Sequence, residues 1–219
     1  MLKRGKYQFY LAGPYNMAID PTKFSMMAVT DTCSVWNVLS SRKLYQASIT
    51  AKVHFCITPM VLYECLYKPR SSMTPEKNEL ITRLEKARKE NAFPILECSL
   101  EDLAELALRA PSGLGSGEMS CMAIAFQIRS AFMTDEKKAR KFASEKLALV
   151  VETTPKLYGW LHYNMHLSDG DHMDVISEHE RHESMPLTRF FSEAFETAMH
   201  YRVMKKLCIN VLSSNTSDK

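Results

Sequence analysis

The chain has 219 residues, 46% of them apolar and 24% charged, which fits one compact domain with a small appendage and excludes a disordered chain. A formal charge of +3 is too small to mark a polyanion partner by itself. Six cysteines occur without a C-x-x-C pair and read as reduced, mostly buried thiols. The apolar run after Lys3, Arg4 and Lys6 is short and broken by Gly13-Pro14, so no signal peptide is expected and a cytoplasmic location is. No stretch approaches the roughly 18 to 20 apolar residues of a membrane span.

Residues 1 to 27 show no period and read as an N-terminal extension laid on the core. Met27 to Thr30 is the first predicted strand, ended by Asp31. Cys33 to Leu44 sets Val35, Val38 and Leu39 on one helical face, and Val53 to Thr58 is a short apolar run readable as strand or helix. Pro59 opens a helix over Met60 to Tyr67. Thr74-Pro75-Glu76 is an N-cap, a first-turn proline and an early acid before the apolar stripe Leu80, Ile81, Leu84 and Ala87. Phe93 to Cys98 reads as a strand, and Ser99 to Asp102 as the capped start of another helix. Ala110 to Gly117 is a loop, Glu118 to Arg129 a helix, Ala131 to Thr134 a strand, Glu136 to Glu145 a charged helix and Leu147 to Glu152 a buried strand. Strands alternating with helices predict an α/β fold with a central, mainly parallel sheet.

Four acids stand where strands meet helices or where a helix starts: Asp31, Glu64, Glu118 and Asp135. Ligands of parallel sheets gather at the carboxyl ends of strands. Mg²⁺ and Mn²⁺ prefer such hard oxygen donors, and a cation would relieve the mutual repulsion of clustered carboxylates. Taken singly, each acid reads as an exposed turn or helix-cap residue.

At these residues the chain resembles the PIN-domain nucleases. Four motifs come in that family's order between about Val29 and Tyr158: Asp31-Thr32-Cys33-Ser34-Val35 after the first strand, Pro59 to Glu64, Gly115 to Ala125, and Thr134 to Arg140. The G-x-G-E form with T-D-E-K-K-A-R is most similar to the predicted nucleic-acid-binding PIN proteins related to VapC toxins. The resemblance implies a three-layer α/β/α domain over residues 28 to 158, Mg²⁺- or Mn²⁺-dependent cleavage of single-stranded RNA, and a role as toxin or defence effector. It implies Asp31, Glu64, Glu118 and Asp135 as catalytic and metal-binding residues, Glu136 as a rival fourth ligand, and Thr32 and Thr134 in support. Lys137, Lys138 and Arg140 are then candidates for the RNA backbone, as are Lys68 and Arg70; a solvated helix face is the other reading. Implied partners are a small antitoxin protein and a second copy of the chain. Ser116 departs from the acid common at that position in the branch. A non-catalytic PIN-like module that binds RNA or protein is the alternative.

The glycine loop 113 to 117 lacks a nucleotide-binding string and is expected to let the backbone turn before Glu118. His162 with His166, and His179 with His182, have helical spacing, but a polar helix explains them better than zinc. Residues 159 to 219 read as a helical C-terminal extension. Its stripe of Leu187, Phe190, Phe191, Ala194, Phe195 and Ala198 packs on the core or forms an interface, and self-association is the expectation.

Overall fold

The computed structural model describes residues 20–70 and 72–214, with side chains described through 208. The expected N-terminal extension, as far as residue 19, and the end of the expected C-terminal extension, from residue 215, lie outside the described residues. The fold is mixed α/β. A four-stranded, all-parallel sheet is built from β1 Met27–Thr30, β2 His54–Cys56, β3 Ala131–Met133 and β4 Val151–Glu152, in the order β2-β1-β3-β4. The chain steps from β1 to β2 on one side and returns to β3 on the other, so the connections diverge between β1 and β3. A crevice opens at the carboxyl ends of strands at such a switch point.

The helices are α1 Thr32–Ser40, α2 Arg42–Thr50, α3 Pro59–Leu62, α4 Pro75–Lys89, α5 Leu100–Arg109, α6 Ser116–Gln127, α7 Lys137–Lys146, α8 Thr154–Tyr163, α9 Asp171–His182 and α10 Thr188–Ser214. Helix α6 packs on β1 and β3, while α1 and α2 pack against α8 and α9. Most start where the sequence signals them: the Thr58, Thr74, Ser99 and Thr153 hydroxyls accept the Val61, Lys77, Asp102 and Lys156 amides. With only seven glycines in the chain, Lys52, Asn91, Arg129, Ala148 and Met165 take left-handed backbone just beyond the ends of α2, α4, α6, α7 and α8.

Three expected elements differ. The helix expected over Cys33 to Leu44 breaks at Ser41, which turns extended and caps α2 through the Leu44 amide at 3.4 Å; serine side chains compete with helical bonding in this way. The strand expected over Phe93 to Cys98 shrinks to one parallel bridge, Ile57 to Ile95, because Pro94 has no amide to extend a ladder. The strand expected from Leu147 keeps only Val151–Glu152, since Ala148 at φ 52° interrupts the approach.

The boundary drawn at residue 158 falls inside α8. One apolar cluster contains Ala28, Val29 and Phe132 of the sheet together with Leu161, Val175, Phe191 and Ala194 of the expected extension. Gly159 lets α10 come close: an added Cβ would lie 3.2 Å from the Ala194 carbonyl oxygen. Phe191 is fully buried, its ring 4.7 Å from Tyr158 and 4.9 Å from His179 between centroids. Of the stripe expected to carry self-association, Phe191 is therefore core, and Phe190 and Phe195 pack partly buried against it. No helix among the described residues is long and apolar enough to cross a membrane.

Candidate active site

Asp31 follows β1 and Asp135 follows β3 by two residues. The Asp31 amide donates to the Met133 carbonyl at 3.1 Å, extending the β1–β3 ladder and bringing the two acids side by side. Both are buried. Asp31 is also the N-cap of α1, its Oδ1 accepting the Ser34 amide at 2.8 Å, and its Oδ2 accepts the Thr134 hydroxyl at 2.5 Å. Burial nevertheless pushes its carboxyl up to about 7, with the Asp135 charge adding to the rise and the Thr134 and Ser34 bonds opposing it. The cap role and the site role thus fall on one residue.

Asp135 takes four donors. Its Oδ1 accepts the Thr154 amide at 2.9 Å; Oδ2 accepts the Thr154 hydroxyl at 2.5 Å, Asn37 Nδ2 at 2.8 Å and the Ser34 hydroxyl at 3.3 Å. Glu136 is exposed at the N-cap of α7. Of the two rivals for the fourth position, Asp135 lies inside and Glu136 outside.

Glu64 lies in the π-helical turn Tyr63–Tyr67 that continues α3, a local geometry often found at functional sites. Arg70 closes that turn by donating to the Glu64 carbonyl at 3.1 Å and the Cys65 carbonyl at 2.6 Å. The Glu64 carboxylate crosses to the start of α6, where Oε1 accepts the Gly117 amide at 3.1 Å and the Ser116 hydroxyl at 3.2 Å, while Oε2 accepts the Thr32 hydroxyl. Unpaired amides and the helix dipole favour an anion there. Gly117 has no Cβ for this reason, so the expected turn-making role of the loop belongs to Gly113, at φ +84°. Glu118 Oε2 turns back to accept the Gly115 amide at 2.7 Å. Burial raises its carboxyl, with the charges of Glu136 and Glu64 adding to the rise.

Two groups close to these acids were missed from sequence. Glu183, between α9 and α10, is raised by burial and further by the Asp135 charge, and its Oε1 is buried without a hydrogen-bond partner. Lys77 of α4 lies 3.9 Å over the Trp36 ring and is lowered by burial, with Glu183 opposing. Neither sits in a motif; only packing of α4 and of the α9–α10 connection brings them in. Cys33 stands among the acids, and burial, then Asp135, Asp31, Glu136 and Glu183, push its thiol up, so it is no thiolate nucleophile.

Other expectations are redirected. Arg140 is buried and donates to the Asp135 carbonyl at 2.6 Å, so it braces the strand end and is not presented to a backbone phosphate. Lys137 and Lys138 are exposed. His162 is buried, with neither ring nitrogen hydrogen-bonded, and His166 lies past the end of α8, beside Trp160. His179 is buried between Ser40, at 2.6 Å, and the Leu187 amide, which donates to Nε2 at 2.9 Å. Nδ1 then carries the proton, and the pair is a structural clasp.

A carboxylate offers about four lone-pair sites. Asp31 spends two on the donors given above, Glu64 three, Glu118 one, and Asp135 leaves one on Oδ1. Among the described residues no three His, Cys, Asp or Glu side chains converge as a finished metal cage. The donor chemistry nonetheless suits a hard divalent cation: oxygen-only groups, two of them buried side by side. Compared with known proteins, the chain matches no family model and no curated sequence.

Proposed function

We propose that this chain is a three-layer α/β/α, PIN-like, divalent-metal-dependent endoribonuclease acting on single-stranded RNA, in the manner of a toxin or defence effector. The observation that supports it most is the pair Asp31 and Asp135, buried together beyond the carboxyl ends of adjacent parallel strands where the sheet's connections diverge. Asp31 and Asp135 would hold Mg²⁺ or Mn²⁺, with Glu64, Glu118 and Glu136 around them. When bound, such an ion supplies charge neutralisation at a phosphodiester and a more acidic water. The Thr134 hydroxyl fixes Asp31 Oδ2, and the Thr32 hydroxyl with the Gly117 amide fixes Glu64. These bonds hold the carboxylates in set rotamers, which a phosphoryl-transfer site needs.

The reading carries with it a small antitoxin-type protein and a second copy as partners. The burial of Phe191 in the core takes away part of the apolar stripe on which self-association rested. The non-catalytic alternative draws on Glu118, which is used as a helix cap, and on Asp135, whose Oδ2 is saturated.

Purified protein should degrade single-stranded RNA with Mn²⁺ or Mg²⁺, stop with EDTA, and lose cleavage in Asp31→Asn and Asp135→Asn. Parental cleavage by a folded Asp31→Asn variant would end the nuclease reading. A metal-independent Asp31→Asn complex with RNA, and no cleavage by the parent, would favour the binding module.

A further inference from the structure

Beside the acidic crevice the surface changes sign. Helix α7 carries Lys138 and Lys141 one turn apart and Lys146 at its end, and these border a cavity of about 470 Å³ whose other wall is Arg109 at the end of α5. Glu145 is the single acid lining it, and Pro111, with the small exposed part of Phe142, supplies apolar surface. Lys141 and Lys146 are exposed, while Phe142 is mostly buried beneath them. Arg109 has only a loose ion pair with Glu105, at 3.8 Å between exposed groups, which stabilises little.

Lysines on one helix face are ordinarily just solvated. Here a cation from a separate helix is brought to the same concavity, where four cations face one carboxylate, Glu145, and the excess of positive charge favours an anion that enters. Lys138 joins this groove to the acids. It donates to the Ser112 carbonyl, in the loop that runs on to Gly115 and Gly117, and its charge opposes the rise at Glu118. The groove and the carboxylates therefore share one wall.

We propose that this groove is a second binding site, taking phosphates and one unstacked base of a single-stranded nucleic acid that continues out of the crevice. The proposal rests on the nuclease reading for the direction in which the strand leads. Cationic sides track a phosphate backbone, and the exposed Pro111 ring offers apolar surface to a base face, which a duplex keeps stacked inside. Electrostatics alone would not distinguish strand from duplex; the apolar floor does.

The test is fluorescence anisotropy with a labelled oligouridylate of about a dozen nucleotides, within the site sizes such grooves cover, in EDTA so that nothing is cut. The double variant Lys141→Glu/Lys146→Glu, checked for fold by circular dichroism, should bind at least about tenfold more weakly and show a salt slope shallower by about one to two. Parental affinity and slope in that variant would overturn the groove, and so would equal affinity of the parent for a duplex of the same length. If the parent never cuts but the groove variant loses binding, the nuclease reading fails and the groove stands. If the parent cuts and the groove variant binds unchanged, the groove alone fails.

Discussion

Gly117 and Glu64 approach so closely that a Cβ on residue 117 would stand 2.6 Å from Glu64 Oε2 and 3.0 Å from its Cδ. The missing side chain is what seats the carboxylate on the first turn of α6. A glycine that looks like a loop residue in the sequence is a steric requirement of the candidate site.

Gly117→Ala sets two effects against each other. Alanine gains up to about 1 kcal/mol in helix propensity, while forcing a methyl against a hydrogen-bonded carboxylate costs roughly 1 to 3 kcal/mol. The variant should melt below the parent and show a smaller Mn²⁺-induced rise. Gly115→Ala is the control, because its Cβ would sit 3.6 Å from Glu118 Oε2, an ordinary contact. A Gly117→Ala protein as stable as the parent would mean that Glu64 swings aside at no cost.

Asp31 is a carboxylate whose charge opposes folding. Its pKa is raised from 3.8 to about 7 in the folded chain, so across that interval the native state keeps a proton the unfolded chain has lost. Stability conferred by the neutral acid is present below about 4 and is lost as pH climbs to about 7. In EDTA at pH 8, Asp31→Asn should melt higher than the parent, and the gap should close toward pH 4. Divalent cation should raise the parent's melting temperature and leave the variant's unchanged. Identical melting of both proteins at every pH would show that the carboxylate carries no buried charge.

His162 is the converse case. It is fully buried, its ring centroid is 4.6 Å from Tyr158 and 4.8 Å from Phe195, and neither nitrogen has a hydrogen-bond partner. Burial lowers its pKa from 6.5 to about 4, with His172 and Arg202 acting in the same direction and Asp169 and Asp171 opposing. Between those values the unfolded chain binds a proton that the native chain refuses, so stability falls as pH drops from 6.5 to about 4. His162→Phe should flatten that slope in thermal melts and add about 1 to 3 kcal/mol at neutral pH by removing desolvated nitrogens. A lower melting temperature at both pH 5 and pH 7.5 would contradict this.

Phe191→Asp separates core from interface. With the side chain fully buried between Tyr158 and His179, an unpaired charge there should cost several kcal/mol and abolish the folded circular dichroism signal. A folded, smaller species in size-exclusion with light scattering would instead return the residue to an interface. Phe191→Leu should fold, with a loss of about 1 to 2 kcal/mol.

The sequence by itself determined what is local. Asp31 after an apolar run, Pro75 behind Thr74 and Ser99 before Glu101 and Asp102 mark element starts because caps and prolines act within one turn of chain. The alternation of such elements made a parallel α/β sheet legible, as did the four acids at their junctions. Tertiary structure alone decided which of these acids face each other and what holds them. The Met133 carbonyl brings Asp31 beside Asp135 across about a hundred residues, Thr154 of α8 claims Asp135, and Gly117 makes room for Glu64. It also decided that Arg140 turns inward, that Phe191 is core, and that Glu183 and Lys77 approach the crevice. Periodicity states that a side chain will be buried, not against what. Burial partners, and the desolvation that moves a carboxyl to neutrality, are set by contacts distant in sequence, which no local pattern encodes.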